Sequence, residues 1–82
     1  MLSLAALEAK EGNRLEAIGL LQEVIALKPG PRVEAEANYR LAENYIALGK
    51  RSRAVSYLAT AVARNPEGAW ARKSQEYLKL LR

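Results

Sequence analysis

The sequence predicts an all-α protein built from antiparallel helix-turn-helix repeats, with five helices in 82 residues. Three observations support this prediction. Ala and Leu make up about a third of the chain, and both lose little conformational freedom in a helix. Apolar residues recur every three or four positions, as they do on one face of a helix. The chain also matches itself when it is shifted by 37 residues.

The internal match involves small and apolar residues, together with the residues that end helices. The identical pairs include Leu4 with Leu41, Ala5 with Ala42, Gly12 with Gly49, Ala17 with Ala54, Leu21 with Leu58, and Pro29 with Pro66. A partial third copy follows, in which Trp70 falls on Val33 and Leu78 falls on Leu41. The chain therefore contains about two and a half units, each expected to fold into a pair of helices.

Each helix is predicted from its apolar spacing and its stop signal. The first, near 2–11, ends at Gly12, and the second, near 14–28, ends at Pro29. The third, near 32–48, ends at Gly49, since glycine readily adopts the left-handed conformation that follows a helix. The fourth, near 51–64, ends before Pro66. The fifth, near 67–81, carries one face of residues spaced for a helix: Trp70, Ser74, Tyr77, Leu78 and Leu81.

These residues resemble the tetratricopeptide repeat, whose 34-residue unit places small, aromatic and helix-ending residues at set positions. The second unit shows them as Leu41, Ala42, Tyr45, Gly49, Ala54, Leu58, Ala61 and Pro66, with Asn38 where the family usually has Trp. The resemblance implies a short right-handed solenoid in a single domain. It would comprise a first repeat over 1–31, a second over 32–68, and a C-terminal capping helix over 69–82.

The repeat spacing departs from the family pattern. It is three residues longer, and the extra residues must lie within 30–34, where they lengthen either the turn or the third helix. Similar spacing is found in bacterial tetratricopeptide proteins of cell-envelope assembly, which the chain loosely resembles.

In this family the first helix of each pair lines a concave groove that holds an extended or helical segment of a partner. Carried over to this chain, the resemblance implies a peptide-binding groove formed by seven residues: Tyr39, Arg40, Glu43, Ile46, Lys73, Glu76 and Tyr77. Tyr and Arg are frequent energetic anchors at interfaces. The alternative is that Tyr39 and Tyr77 are half-buried packing residues. Trp70 is expected to pack against the preceding helix pair.

Composition argues against catalysis. The chain has no His, Cys or Asp, so it cannot form a Ser-His-Asp or Cys-His nucleophile, a Cys/His zinc site or a disulfide. We expect no catalytic residue, no metal site and no cofactor. The predicted function is a non-catalytic protein-protein interaction module that binds a peptide or helix of an unidentified partner. We also expect the chain to be a piece of a larger repeat protein.

Self-association is the alternative function. The first predicted helix is apolar on more than one face, and exposed apolar surface favours burial against a second copy. The candidate residues for a homo-oligomer interface are Leu2, Leu4 and Leu7.

Charge is uneven along the chain, with a net of −1 over residues 1–41 and +5 over residues 42–82. Nucleic acid is nevertheless a disfavoured partner, because no recognition motif is present and glutamates interrupt the basic half. Apolar runs reach only three or four residues, so no membrane span is expected. The N-terminus lacks the features of a signal peptide. The default location is the cytoplasm, or the periplasm if the chain belongs to an envelope protein.

Overall fold

The computed structural model describes residues 14–81. Within this range all regular structure is helical, in four elements: α1 (Arg14–Ala26), α2 (Pro31–Ala47), α3 (Arg51–Arg64) and α4 (Ala69–Leu81). The prediction of an all-α fold is confirmed, and four of the five predicted helices are observed. The predicted helix near 2–11 lies outside the described residues.

The three residues by which this repeat exceeds the family's unit lie at the start of helix α2. It starts at Pro31, and only the four residues 27–30 separate it from the end of α1 at Ala26. The extra residues therefore extend this helix at its start and leave the preceding turn short. Proline suits the first helical position, because an N–H there would have no acceptor within the helix. The N–H of the preceding residue, Gly30, donates to Glu34 Oε2 at 3.4 Å.

The end of α2 shows why glycine stands at position 49. Gly49 has a φ of 79°, which is in the left-handed region. Its N–H donates to the carbonyl of Ile46 at 2.9 Å, and the Lys50 N–H donates to the carbonyl of Tyr45 at 2.8 Å. This pair of hydrogen bonds is a Schellman motif, which satisfies the last carbonyls of the helix. The chain then turns directly into α3.

The core lies where α2 meets its neighbours. Helix α2 contacts α1, α3 and α4, and α3 also contacts α4. The largest fully buried apolar side chains are Leu21, Leu41 and Leu58, one from each of the first three helices. Alanines with no exposed surface lie beside them at positions 17, 35, 37, 42, 54, 61 and 71. Small contact residues let helices approach closely, so the repeated alanines set the close packing of the stack.

An ion pair joins the start of α2 to the end of α3. The Arg64 guanidinium lies 3.5 Å from the Glu34 carboxylate, whose side chain is only 14% exposed. Near the other end of the same helix pair, the rings of Tyr45 and Tyr57 stack at 5.2 Å with an interplanar angle of 6°. The α2–α3 pair is thus held near both ends, and one side of α2 remains available to α4.

Candidate interaction groove

Three aromatic side chains meet between α2 and α4. Tyr39 of α2 lies 5.3 Å from Trp70 and 6.0 Å from Tyr77 between ring centroids, and the ring planes are tilted by 49° and 55°. Tilted pairs at such distances are favourable aromatic contacts. We call Tyr39, Trp70 and Tyr77 the aromatic cluster. All three are partly exposed, so the cluster forms a surface as well as a packing contact.

Helical spacing accounts for the α4 side of this cluster. Trp70, Lys73 and Tyr77 stand at i, i+3 and i+7, and residues at these separations share one helix face. Ser74, which is predicted on the same face, and its neighbour Ala71 are fully buried against the stack. Burial of the small residues therefore turns the larger side chains towards α2 and the solvent.

Two cations lie against the Trp70 ring. The Lys73 ammonium is 4.7 Å from the ring centroid, and the Arg40 guanidinium carbon is 5.5 Å from it. A cation at this distance from an indole contributes about 0.5–1 kcal/mol at an exposed site. These contacts also restrict the long side chains of Arg40 and Lys73, which reduces the entropy that the two side chains lose when they contact a partner.

Arg40 is also held by carboxylates of its own helix. Its Nε donates to Glu36 Oε2 at 3.3 Å, and its Nη1 lies 4.0 Å from Glu43 Oε1. Pairs at i, i+3 and i, i+4 add only a few tenths of a kcal/mol to helix stability. Here the two ion pairs hold the Arg40 guanidinium beside the aromatic cluster.

Two groups of the groove have shifted pKa values. Burial raises the pKa of the Glu43 carboxyl above its ordinary value, although Arg40, Lys73 and Arg14 act in the opposite direction. Burial also raises the pKa of the Tyr39 phenol, with further contributions from Glu43 and Tyr77 and opposition from Arg40. Glu43 is thus a partly desolvated acid, whereas the Tyr39 hydroxyl keeps its proton and can donate a hydrogen bond.

A depression of about 370 Å³ opens beside the aromatic cluster, lined by Tyr39, Lys73, Glu76, Tyr77 and Leu80. Leu80 is 81% exposed. We call this the upper depression. It combines aromatic and aliphatic walls with a cation, an acid and two phenol hydroxyls, the mixture typical of surfaces that bind a polypeptide.

The structure brings six of the seven predicted groove residues together. Tyr39, Lys73, Glu76 and Tyr77 line the upper depression, and Arg40 and Glu43 adjoin it through their contacts with Trp70 and with each other. Ile46 lies apart. It lines a second depression of about 370 Å³ with Gly49, Arg51 and Leu81, which we call the lower depression. The expected single groove therefore contains two separate depressions.

Sequence reasoning missed the position of Trp70 in the groove. It packs against Tyr39 of the preceding pair as expected, yet it also supports both Arg40 and Lys73. The i, i+3, i+7 spacing of Trp70, Lys73 and Tyr77 was the signal that could have placed it there. The self-association candidates Leu2, Leu4 and Leu7 lie outside the described residues. None of the helices in residues 14–81 has the length and apolar character needed to cross a membrane.

A model of the tetratricopeptide repeat family matches residues 8–77, which is most of the chain. No curated protein and no solved structure matches the sequence.

Proposed function

Because the chain belongs to the tetratricopeptide repeat family, we propose that it binds a peptide or helical segment of a partner protein in the groove between α2 and α4. Tetratricopeptide repeats generally mediate protein-protein interaction and are typically non-catalytic. The observation that supports this groove most directly is the partly exposed aromatic cluster with two cations held against Trp70.

The chemistry of the groove suits a polypeptide ligand. Tyr, Trp and Arg contribute a large share of binding energy at protein interfaces, and all three types meet here. Contacts with Trp70 and with Glu36 hold Arg40 before a partner arrives. A preformed surface loses little side-chain entropy on binding. The aromatic bodies offer apolar area, and the phenol hydroxyls and charged ends offer hydrogen bonds to a backbone.

The test uses peptides selected on the chain itself. Random peptides of about 12 residues, which reach about 40 Å when extended, are displayed and selected on the immobilised chain. Binding of the selected peptides is then followed in solution by the fluorescence of Trp70, the one tryptophan of the sequence. We expect Tyr39→Ala combined with Arg40→Ala to weaken binding by about tenfold or more.

The same peptides test a single cation. Lys73→Ala removes the ammonium over Trp70, and we expect a loss of about threefold to tenfold in affinity. Lys79→Ala is the matched control, because Lys79 is an exposed lysine of the same helix that does not line the groove depressions. Equal affinities for the wild type, the Tyr39/Arg40 double variant and Lys73→Ala would contradict the proposal.

Self-association is a second candidate, and the exposure of α1 favours it. Leu15, near the start of this helix, is 74% exposed, and Leu27, the residue that follows its end, is 73% exposed. The sequence adds Leu2, Leu4 and Leu7 as candidate interface residues. Sedimentation equilibrium over a wide concentration range tests this. We expect Leu4→Glu and Leu7→Glu to reduce the molar mass before they unfold the chain, and an unchanged mass for both would exclude it.

A further inference from the structure

The two depressions differ in charge. The upper depression contains both Lys73 and Glu76, whose charges offset each other. The lower depression is lined by two aliphatic side chains, the Gly49 backbone and a single charged group, the Arg51 guanidinium. It is therefore apolar and positive, without an acid in its lining.

The positive character extends around the lower depression. Lys50, Arg51 and Arg53 are all exposed, and α3 contains no acidic residue. Within residues 14–81, the ion pairs involve Arg40 and Arg64, and no carboxylate oxygen lies within 4.0 Å of these three cations. Arg53 is held over the Tyr45 ring at 5.8 Å. Uncompensated charges of one sign attract a partner of the opposite sign.

We infer that the partner segment is acidic at this end: one of its carboxylates pairs with Arg51, and a neighbouring aliphatic side chain sits between Ile46 and Leu81. This inference rests on the proposed function, since it assumes that the groove holds a polypeptide. A guanidinium forms two parallel hydrogen bonds with a carboxylate, and these are stronger than hydrogen bonds between neutral groups. The aliphatic walls add apolar burial beside the ion pair.

The helices define the spacing of the ligand side chains. Tyr39 and Ile46 are seven residues apart on α2, so the two depressions are separated by about 10 Å. An extended segment covers this distance in about three residues, and a helical one in about seven. The acidic residue should therefore lie about three or seven positions from the side chain that fills the upper depression.

An acidic peptide fits this surface better than nucleic acid does. Ile46 and Leu81 give a phosphodiester nothing to bind, whereas they match an aliphatic side chain. The adjoining groove also carries Glu43 and Glu76, which repel a chain of phosphates but leave room for a peptide with a single acid.

The displayed peptide library tests this inference through composition and charge. We expect selected peptides to contain Asp and Glu at about twice the library frequency or more. For a representative peptide, Arg51→Gln should weaken binding by about tenfold. The control is Arg32→Gln, which removes an exposed cation from the opposite end of α2 and should change the affinity by less than about twofold.

A double-mutant cycle identifies the pair. Changing the peptide's Glu to Gln should weaken binding to the wild type but not to Arg51→Gln, with a coupling of about fivefold or more. Selected peptides without acidic enrichment, or a coupling below about twofold, would overturn the inference. The groove proposal would remain intact if Tyr39→Ala combined with Arg40→Ala still weakened binding by about tenfold. Failure to select any peptide would overturn both. A duplex oligonucleotide that binds through Arg51 when no acidic peptide does would assign the surface to nucleic acid instead.

Discussion

Helices α2 and α4 occupy equivalent places in successive repeats, yet they carry different residues on two faces. Positions 35, 38 and 42 of α2 hold Ala, Asn and Ala, all buried. The equivalent positions of α4, 37 residues later, hold the exposed Arg72, Gln75 and Lys79. Helix α2 contacts three helices, whereas α4 contacts only α2 and α3 among the described elements. The number of neighbours thus decides which positions must be small.

The groove face differs between the same two helices. Glu36, Tyr39, Arg40 and Glu43 of α2 correspond to Lys73, Glu76, Tyr77 and Leu80 of α4. None of these four pairs is identical, and the first reverses its charge. The buried Leu41 and its equivalent Leu78, by contrast, are the same residue. The repeat therefore keeps this leucine and varies all four positions of the candidate groove face, so the two helices present chemically distinct walls.

The largest loss of stability is expected when a buried position of α2 receives the residue that α4 carries at the equivalent position. Ala42→Lys puts a long charged side chain at a position with no exposed surface, and we expect a loss of about 3 kcal/mol or more in the free energy of unfolding. The reverse change, Lys79→Ala, should alter stability by less than about 0.5 kcal/mol. Urea unfolding followed by helical circular dichroism measures both. Equal losses would contradict the assignment of these faces.

The two equivalent leucines provide a second comparison. Leu41 is fully buried and Leu78 is partly exposed. We expect Leu41→Ala to cost about 3 kcal/mol, because it leaves a cavity among three helices, and Leu78→Ala to cost about 1 kcal/mol. Their urea midpoints should differ accordingly. A larger loss for Leu78→Ala would mean that α4 is packed more tightly than its exposure indicates.

Gly49 ends α2, and its replacement should have a moderate effect. Gly49→Ala forces a side chain into a positive φ, at a cost of about 1–2 kcal/mol, although the added methyl group meets no atom within 4 Å. Gly19→Ala is the control, since Gly19 lies within α1 and also has open space. That change should stabilise the protein by about 0.5–1 kcal/mol. Thermal unfolding of the two variants should therefore shift in opposite directions.

The smallest change in stability is expected at Glu43, whose equivalent in α4 is Leu80. Because burial raises its pKa in the folded chain, folding favours the protonated acid. The contribution of Glu43 to stability is fully present below the ordinary pKa of 4.5 and is lost as pH rises through the raised value. Glu43→Gln should therefore gain stability relative to the wild type as pH rises through this window. Urea unfolding at several pH values tests the sign, and a constant difference would contradict it.

The local features of the fold were predictable from the sequence. Helix α3 has its predicted bounds, and the ends of α2 and α4 lie within two residues of the prediction. Gly49 and Pro66 follow helices as expected, because stop signals act on the backbone next to them. The predicted end of α1 was two residues too late, since the helix stops at Ala26 and Lys28 adopts a positive φ. The sequence does not indicate that α1 ends here, because lysine rarely adopts a positive φ.

The sequence by itself determined the helical class, the 37-residue period, and the alternation of small and large packing residues, because all three follow from backbone preference and the helical period. The tertiary structure alone decided which side chains of α2 and α4 meet. It placed Trp70 against Tyr39, Arg40 and Lys73, and it separated Ile46 from the aromatic cluster. Such contacts depend on the angle and separation of two helices, which arise from the packing of the whole core.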